Sequence, residues 1–253
     1  MTIRWTAFLA AAALWELIAR RVADVFFPPP SAIVLRMYHL WFSGPATHFF
    51  LSGDAVGNLL PSLARMGLGL GAAVVLGVGL GLALGRSPRF FAYVDPVLQF
   101  ARVIPPPTLV PVFVVLLHLG PTMQVTSIVF GAVWPILLNT AEGARSVDPA
   151  LLDTARVFRL SAVDRLALVI VPSTLPKLFA GLRLALSLSL ILMVFSELLP
   201  GTANGIGFEL TDAQSRSDLP TMWAAIVLLG ILGYLLNTLL LVLERKALHH
   251  GRT

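Results

Sequence analysis

Asp153, Arg156 and Arg159 recur at every third position of a segment, residues 148–172, that separates two strongly apolar stretches of the chain. Carboxylates and guanidiniums at that spacing share one face of a helix and pair with one another in water, whereas placing them in lipid is costly. Leu151, Leu152, Ala155 and Phe158 fall on another face, so the same short helix presents an apolar surface to protein. Its chemistry is recognition: either it docks on a partner, or it lies on the protein's own cytoplasmic ends or on lipid headgroups. A second set of polar groups sits within the apolar stretches, namely Arg102, Ser187, Ser189 and Glu197, together with Pro105 and Pro107 in a run of prolines. These are the candidates for lining a solute path. Arg102 would attract an anion there, or else snorkels or pairs; Glu197 is a functional candidate, or else is exposed at the outer interface. Ser187 and Ser189 cannot point the same way on a helix, so one of them at most faces a pore.

Covalent chemistry finds no such support. The five histidines, His39, His48, His118, His249 and His250, show no metal-ligand spacing with acidic partners, and the chain holds no cysteine. Neither a catalytic group nor a metal site is expected, and no cofactor. The phosphate-cradling pattern Gly-x-x-x-x-Gly-Lys-Ser/Thr is also missing, because the glycine series ending at Gly85-Arg86-Ser87 lacks the lysine. Any ATP-derived energy has to come from another chain.

The elements that must hold these residues are membrane helices. A chain 57% hydrophobic and only 12% charged, with a mean hydropathy of +0.85, has hydrocarbon as its main solvent. Apolar runs near 5–20, 59–85, 97–117, 123–141, 178–199 and 220–243 predict an all-α polytopic protein with about six transmembrane helices, forming a single domain over residues 1–253. The first run alternatively reads as a signal peptide. With both termini cytoplasmic, Arg4, Arg86, Arg89, Arg145, Arg156, Arg159, Arg165, Lys177, Arg245, Lys246 and Arg252 face the inside. Only Arg20, Arg21, Arg36 and Arg216 then lie outside, as the positive-inside rule requires. The long segment 142–177 is thereby cytoplasmic, and the net charge of +5 reports orientation rather than nucleic-acid binding.

Local chemistry predicts several helix boundaries. Asp95-Pro96 and Asp148-Pro149 each read as an N-cap followed by a first-turn proline, opening the third span and the cytoplasmic insert. Ser161-Ala162-Val163-Asp164 resembles a capping box, so the insert's first helix stops near Leu160 and a second begins after Ser161. Pro172 and Pro176 are expected to kink the approach to the fifth span. Gly67 with Gly71, and Gly77, Gly81 and Gly85, form small-residue stripes that read first as close helix packing.

The spacing within the insert resembles the signature loop of ABC importer permeases, in which Glu-Ala-Ala, three residues, Gly, nine residues and Ile-x-Leu-Pro mark the helix that docks into the ATPase. Here the frame reads Asp153-Thr154-Ala155, then Arg159 at the glycine position, then Val169-Ile170-Val171-Pro172. Further stretches resemble the branch of that family importing nitrate, sulfonates, taurine and bicarbonate: Phe27-Pro28-Pro29-Pro30-Ser31-Ala32, Arg102-Val103-Ile104-Pro105, Val147-Asp148-Pro149-Ala150-Leu151-Leu152, Gly181-Leu182-Arg183 and Gly205-Ile206-Gly207.

The resemblance implies a type I importer permease in the bacterial inner membrane, paired with a second copy of itself. It also implies two ATP-binding subunits gripping the docking helices, and an extracytoplasmic solute-binding protein delivering a small solute. Asp148, Pro149, Leu151, Leu152, Asp153, Ala155, Arg156, Phe158 and Arg159 would carry the coupling to the ATPase. The competing reading from composition alone is a stand-alone secondary transporter or channel for a small anion, although the chain lacks the clustered mid-membrane charges and repeated halves such proteins show.

Overall fold

Prolines and capping oxygens set most of the boundaries in the computed structural model, which describes residues 2–22 and 24–250; among these, every regular element is helical. The first helix, α1 (Thr2–Val22), is followed by α2 (Pro30–Met37), which runs into a π-helical turn, Tyr38–Phe42. A 3-10 turn at Ala46–His48 and a second π turn, Ala55–Leu59, lead into α3 (Leu60–Arg86). Then come α4 (Pro88–Val103), α5 (Pro106–Leu117) and α6 (Pro121–Arg145). The insert holds α7 (Pro149–Val157), α8 (Ala162–Arg165) and a third π turn, Leu166–Ile170. The chain continues as α9 (Val171–Glu197), α10 (Ile206–Ser215) and α11 (Leu219–His250).

Four stretches among the described residues are long and apolar enough to cross a membrane: Ala55–Arg86, Pro121–Arg145, Ala162–Glu197 and Leu219–Leu248. A fifth arises if α4 and α5, bent by 90° at their junction, count as one broken span. The first apolar run is helical as expected, yet α1 does not join this set. Glu16, Arg20 and Arg21 all fall within its 21 residues and dilute its apolar character.

The expected start of the third span is corrected. Asp95-Pro96 does not open the third span; both residues lie inside α4. The same chemistry is supplied earlier by Ser87-Pro88, where the Ser87 hydroxyl accepts from the Phe90 amide at 3.4 Å and Pro88 occupies the first turn. Asp95 instead accepts from the Gln99 side chain one turn on, at 3.1 Å.

The chain divides into two compact units, one of Met1–Leu63 with Glu197–Leu232 and one of Ala64–Ser196 with Gly233–Thr253. Within the second, Ala73, Ala132, Ile136 and Ala185 are fully buried where α3, α6 and α9 meet. Glycines make that approach possible. A Cβ built on Gly77 would lie 2.8 Å from the Ile136 side chain, on Gly81 2.7 Å from the Leu137 carbonyl oxygen, and on Gly85 2.6 Å from that of Ala141. The 77–81–85 stripe is thus the packing seam of α3 on α6. Gly67 and Gly71 are not part of it, since a Cβ at either would meet nothing within 4 Å. On the insert side, Ala144, Val147 and Ile170 form a buried cluster against which Leu152 packs.

Within the first unit, Trp15, Phe27 and Trp223 form an aromatic cluster with ring centroids 5.5–6.1 Å apart. The Trp223 indole N–H donates to the Phe26 carbonyl at 3.1 Å, which ties α11 to the loop after α1.

Candidate functional site

The insert helix α7 is defined at both ends by its own residues. The Asp148 carboxylate accepts from the Ala150 amide at 2.9 Å, satisfying one orphan N–H, while Pro149 takes the position where an N–H would go unused. At the other end the Arg159 amide donates to the Arg156 carbonyl at 2.9 Å and the Leu160 amide to the Ala155 carbonyl at 3.0 Å. This paired closure is a Schellman motif with Arg159 as its left-handed residue, at φ 52°. That backbone conformation favours glycine, because a Cβ crowds the following carbonyl at a cost of about 1 kcal/mol.

Past the turn, the Ser161 cap is present, but Asp164 meets the Ser161 hydroxyl rather than its backbone amide, so the expected capping box is only half formed. The Ser161 hydroxyl accepts from the Asp164 amide at 3.1 Å and donates to the Asp164 carboxylate at 2.6 Å. Just before Pro172, which has no N–H to offer, the helix takes a π turn in which the Val171 amide reaches back to the Leu166 carbonyl.

The apolar residues of α7 divide between two directions rather than forming one face. Ala155 is buried and Leu152 packs on Val147 and Ile170, anchoring the helix to its own unit. Leu151, Val157 and Phe158 point outward, the last two at 79% and 75% exposed. Of the charged residues, Asp153 and Arg156 pair at 2.6 Å, as their spacing predicts, and both are largely exposed. The helix is therefore held from behind and displays an apolar and charged front.

The prolines after Arg102 break the helix rather than merely kinking it. Ile104 and Pro105 are extended at ψ 118°, and α5 restarts at Pro106. Arg102 and Pro105 are exposed at this elbow and Pro107 is half-buried. On α9, Ser187 is exposed and Ser189 is fully buried, each donating back to the carbonyl four residues earlier, of Arg183 and Ala185 respectively.

Glu197 is fully buried, in a polar knot of the first unit. The Ser62 hydroxyl lies 2.8 Å from both of its carboxylate oxygens, and the Gly207 amide donates to it at 3.1 Å. Ser62 in turn accepts from the Ile206 amide at 2.9 Å, and Asn58 from the Gly205 amide at 3.1 Å. The start of α10 is thus capped by residues distant in sequence, with a carboxylate where the helix dipole favours one.

A cavity of about 300 Å³ in the same unit is lined by Arg36, Asp54, Asn58, Glu209, Asp212 and Asp218, among others. Glu209 is 7% exposed and accepts from the indole N–H of the fully buried Trp41 at 3.3 Å. Burial, with Asp54 and Asp212 nearby, raises its carboxyl to about 7 against the pull of Trp41 and Arg36. Arg36 pairs with Asp218 at 2.6 Å and donates to Thr221 at 2.8 Å. Asp218 is held below the usual carboxylate range, the burial that would raise it being outweighed by Thr221 and Arg36. Sequence reading passes over this cavity because Trp41 and Glu209 are 168 residues apart and no local pattern joins them.

Comparison with known proteins points one way. A family model described as "Binding-protein-dependent transport system inner membrane component" matches residues 73–249. The chain is 32% identical over 238 residues to the putative aliphatic sulfonates transport permease protein SsuC of Bacillus subtilis (strain 168), covering 93% of this chain and 83% of that one. It is 34% identical over 191 residues to the bicarbonate transport system permease protein CmpB of Synechococcus elongatus, covering 76% of this chain and 69% of the relative. To the taurine transport system permease protein TauC of Escherichia coli (strain K12) it is 28% identical over 235 residues, covering 92% and 84%. Among solved structures, a chain of the MetNI methionine ABC transporter in an inward-facing conformation superposes with a TM-score of 0.63 at 18% identity, over 75% of this chain and 94% of that one.

Proposed function

This chain belongs to the binding-protein-dependent transport system inner membrane component family, the permeases of ABC importers, and on that premise we propose how it is assembled and driven. Membership of the family implies ATP-binding subunits and a solute-binding protein as partners, and a multi-pass membrane location. Two copies of the chain pair in the bilayer with both termini in the cytoplasm, and each receives one ATP-binding subunit on residues 148–159. The external solute-binding protein delivers a small oxyanion or sulfonate, the chemistry shared by the names of the relatives. The whole chain, 1–253, works as one permease, and the path candidates remain Arg102, Pro105 and Pro107 at the elbow, with Ser187 and Ser189 on α9. Glu197, enclosed by Ser62 and Gly207, would act through the position of α10 rather than by meeting solute.

The observation that carries the coupling role is the two-sidedness of α7. Leu152 and Ala155 fix it to the body of its unit, while Leu151, Val157 and Phe158 remain uncovered. A helix so held transmits a push. Exposed apolar side chains of that size beside a paired Asp153 and Arg156 match the centre and rim of a protein interface.

The test uses the permease, its ATP-binding subunit and its solute-binding protein reconstituted in vesicles. Phe158→Ala should retain ATP hydrolysis while losing most uptake, and unchanged uptake would count against coupling through α7. Because the chain has no native cysteine, Arg156→Cys reports its side of the membrane cleanly. Labelling from the cytoplasmic side is expected, and labelling only from outside would overturn the orientation.

A further inference from the structure

Arg159 combines three properties. Its backbone is left-handed, at φ 52°, where glycine would be free of strain. Its side chain is exposed, and its guanidinium makes no ion pair or hydrogen bond among the described residues. Its neighbour on the same helix, Arg156, is by contrast neutralised by Asp153 at 2.6 Å. Inside the protein a cation at this position gains only the modest, solvent-screened attraction of the C-terminal end of α7. The Schellman closure needs only the backbone of Arg159 and Leu160, and glycine would supply it without strain. Strain kept at an exposed site points to a use outside the chain.

The geometry points to Arg159 as a determinant of partner choice: its guanidinium pairs with a carboxylate at the rim of the groove in which the ATP-binding subunit receives Phe158. This rests on the docking role proposed for α7. The apolar front, Leu151, Val157 and Phe158, supplies contact area but little selectivity, since any apolar groove of the right size accepts it. An unpaired, planar, five-donor cation directly beside Phe158 supplies selectivity, because a groove lacking an acceptor there would leave it desolvated and unpaired. The ATP-binding subunit that fits is one with an Asp or Glu at that rim.

Full-length permease in lipid nanodiscs, titrated with its own ATP-binding subunit at several salt concentrations, tests the pairing. Arg159→Gly is expected to raise or maintain the permease's Tm, because the strain is relieved, and yet to weaken association roughly three- to tenfold at low salt with a flatter salt dependence. Arg159→Lys should keep most of the affinity, and Arg159→Glu should lose more than the glycine variant. Should Arg159→Gly and Arg159→Glu bind as tightly as the parent with unchanged salt dependence while Phe158→Ala binds poorly, the Arg159 pairing is wrong and docking through α7 stands. Were Phe158→Ala to bind normally as well, the docking role itself would be refuted.

Discussion

The Ser62 hydroxyl lies 2.8 Å from both carboxyl oxygens of Glu197 while accepting the Ile206 amide, so one small side chain serves as donor to a buried carboxyl group and as acceptor for the first turn of α10. Ser62→Ala removes both bonds and leaves a buried N–H short of its partner. A loss of about 2–3 kcal/mol is expected, read as a lower Tm of the purified permease. Ser62→Thr keeps the hydroxyl and should recover part of it.

Glu209 links the stability of its unit to pH. Its folded carboxyl is raised to about 7 from 4.5, so between those values the folded state binds the extra proton. That contribution is fully present below about 4.5 and is lost as pH rises through about 7, worth roughly 1–2 kcal/mol once screening through the open side of the cavity is included. Thermal melts at pH 5, 6, 7 and 8 should fall with rising pH, and Glu209→Gln should remove this part of the dependence.

The seam of α3 on α6 admits no Cβ at Gly81. Gly81→Val is expected to cost about 2–3 kcal/mol by forcing α3 away from Leu137 and Thr140. Gly71→Ala, which would meet nothing within 4 Å, should leave the Tm unchanged or slightly raised.

Asp148 holds the first turn of α7 by its bond to the Ala150 amide. Asp148→Ala should cost about 1 kcal/mol locally, seen as roughly fivefold faster hydrogen exchange of the α7 amides with the global Tm little altered. Asp148→Asn keeps the acceptor and should restore protection.

Legibility of these features in the sequence follows how far apart their parts lie. The caps at Asp148 and Ser161 are readable because each motif is complete within four residues and its chemistry admits few alternatives. Asp95-Pro96 has the same signature and yields no cap, because Ser87-Pro88 had already started the helix eight residues earlier. The resemblance of the insert to a docking loop places Arg159 at a glycine position, and the structure supplies the reason in its left-handed backbone. The division of α7 into a buried pair, Leu152 and Ala155, and an outward set could not be read from periodicity, which ranks residues around a helix without saying where Val147 and Ile170 stand. The Trp41–Glu209 and Arg36–Asp218 pairs join residues 168 and 182 positions apart, and only the fold brings them together.

The elbow at Ile104-Pro105 has a consequence for water. Pro105, Pro106 and Pro107 carry no amide hydrogen, so the carbonyl oxygens of Ala101, Arg102 and Val103 lose the donors that a continuing helix would have offered them. The twelve residues of α5 rise only about 18 Å, well short of the roughly 30 Å of a hydrocarbon slab. Acyl chains cannot solvate bare carbonyls, so this corner is a place the bilayer cannot wet and that hydration or polar protein must.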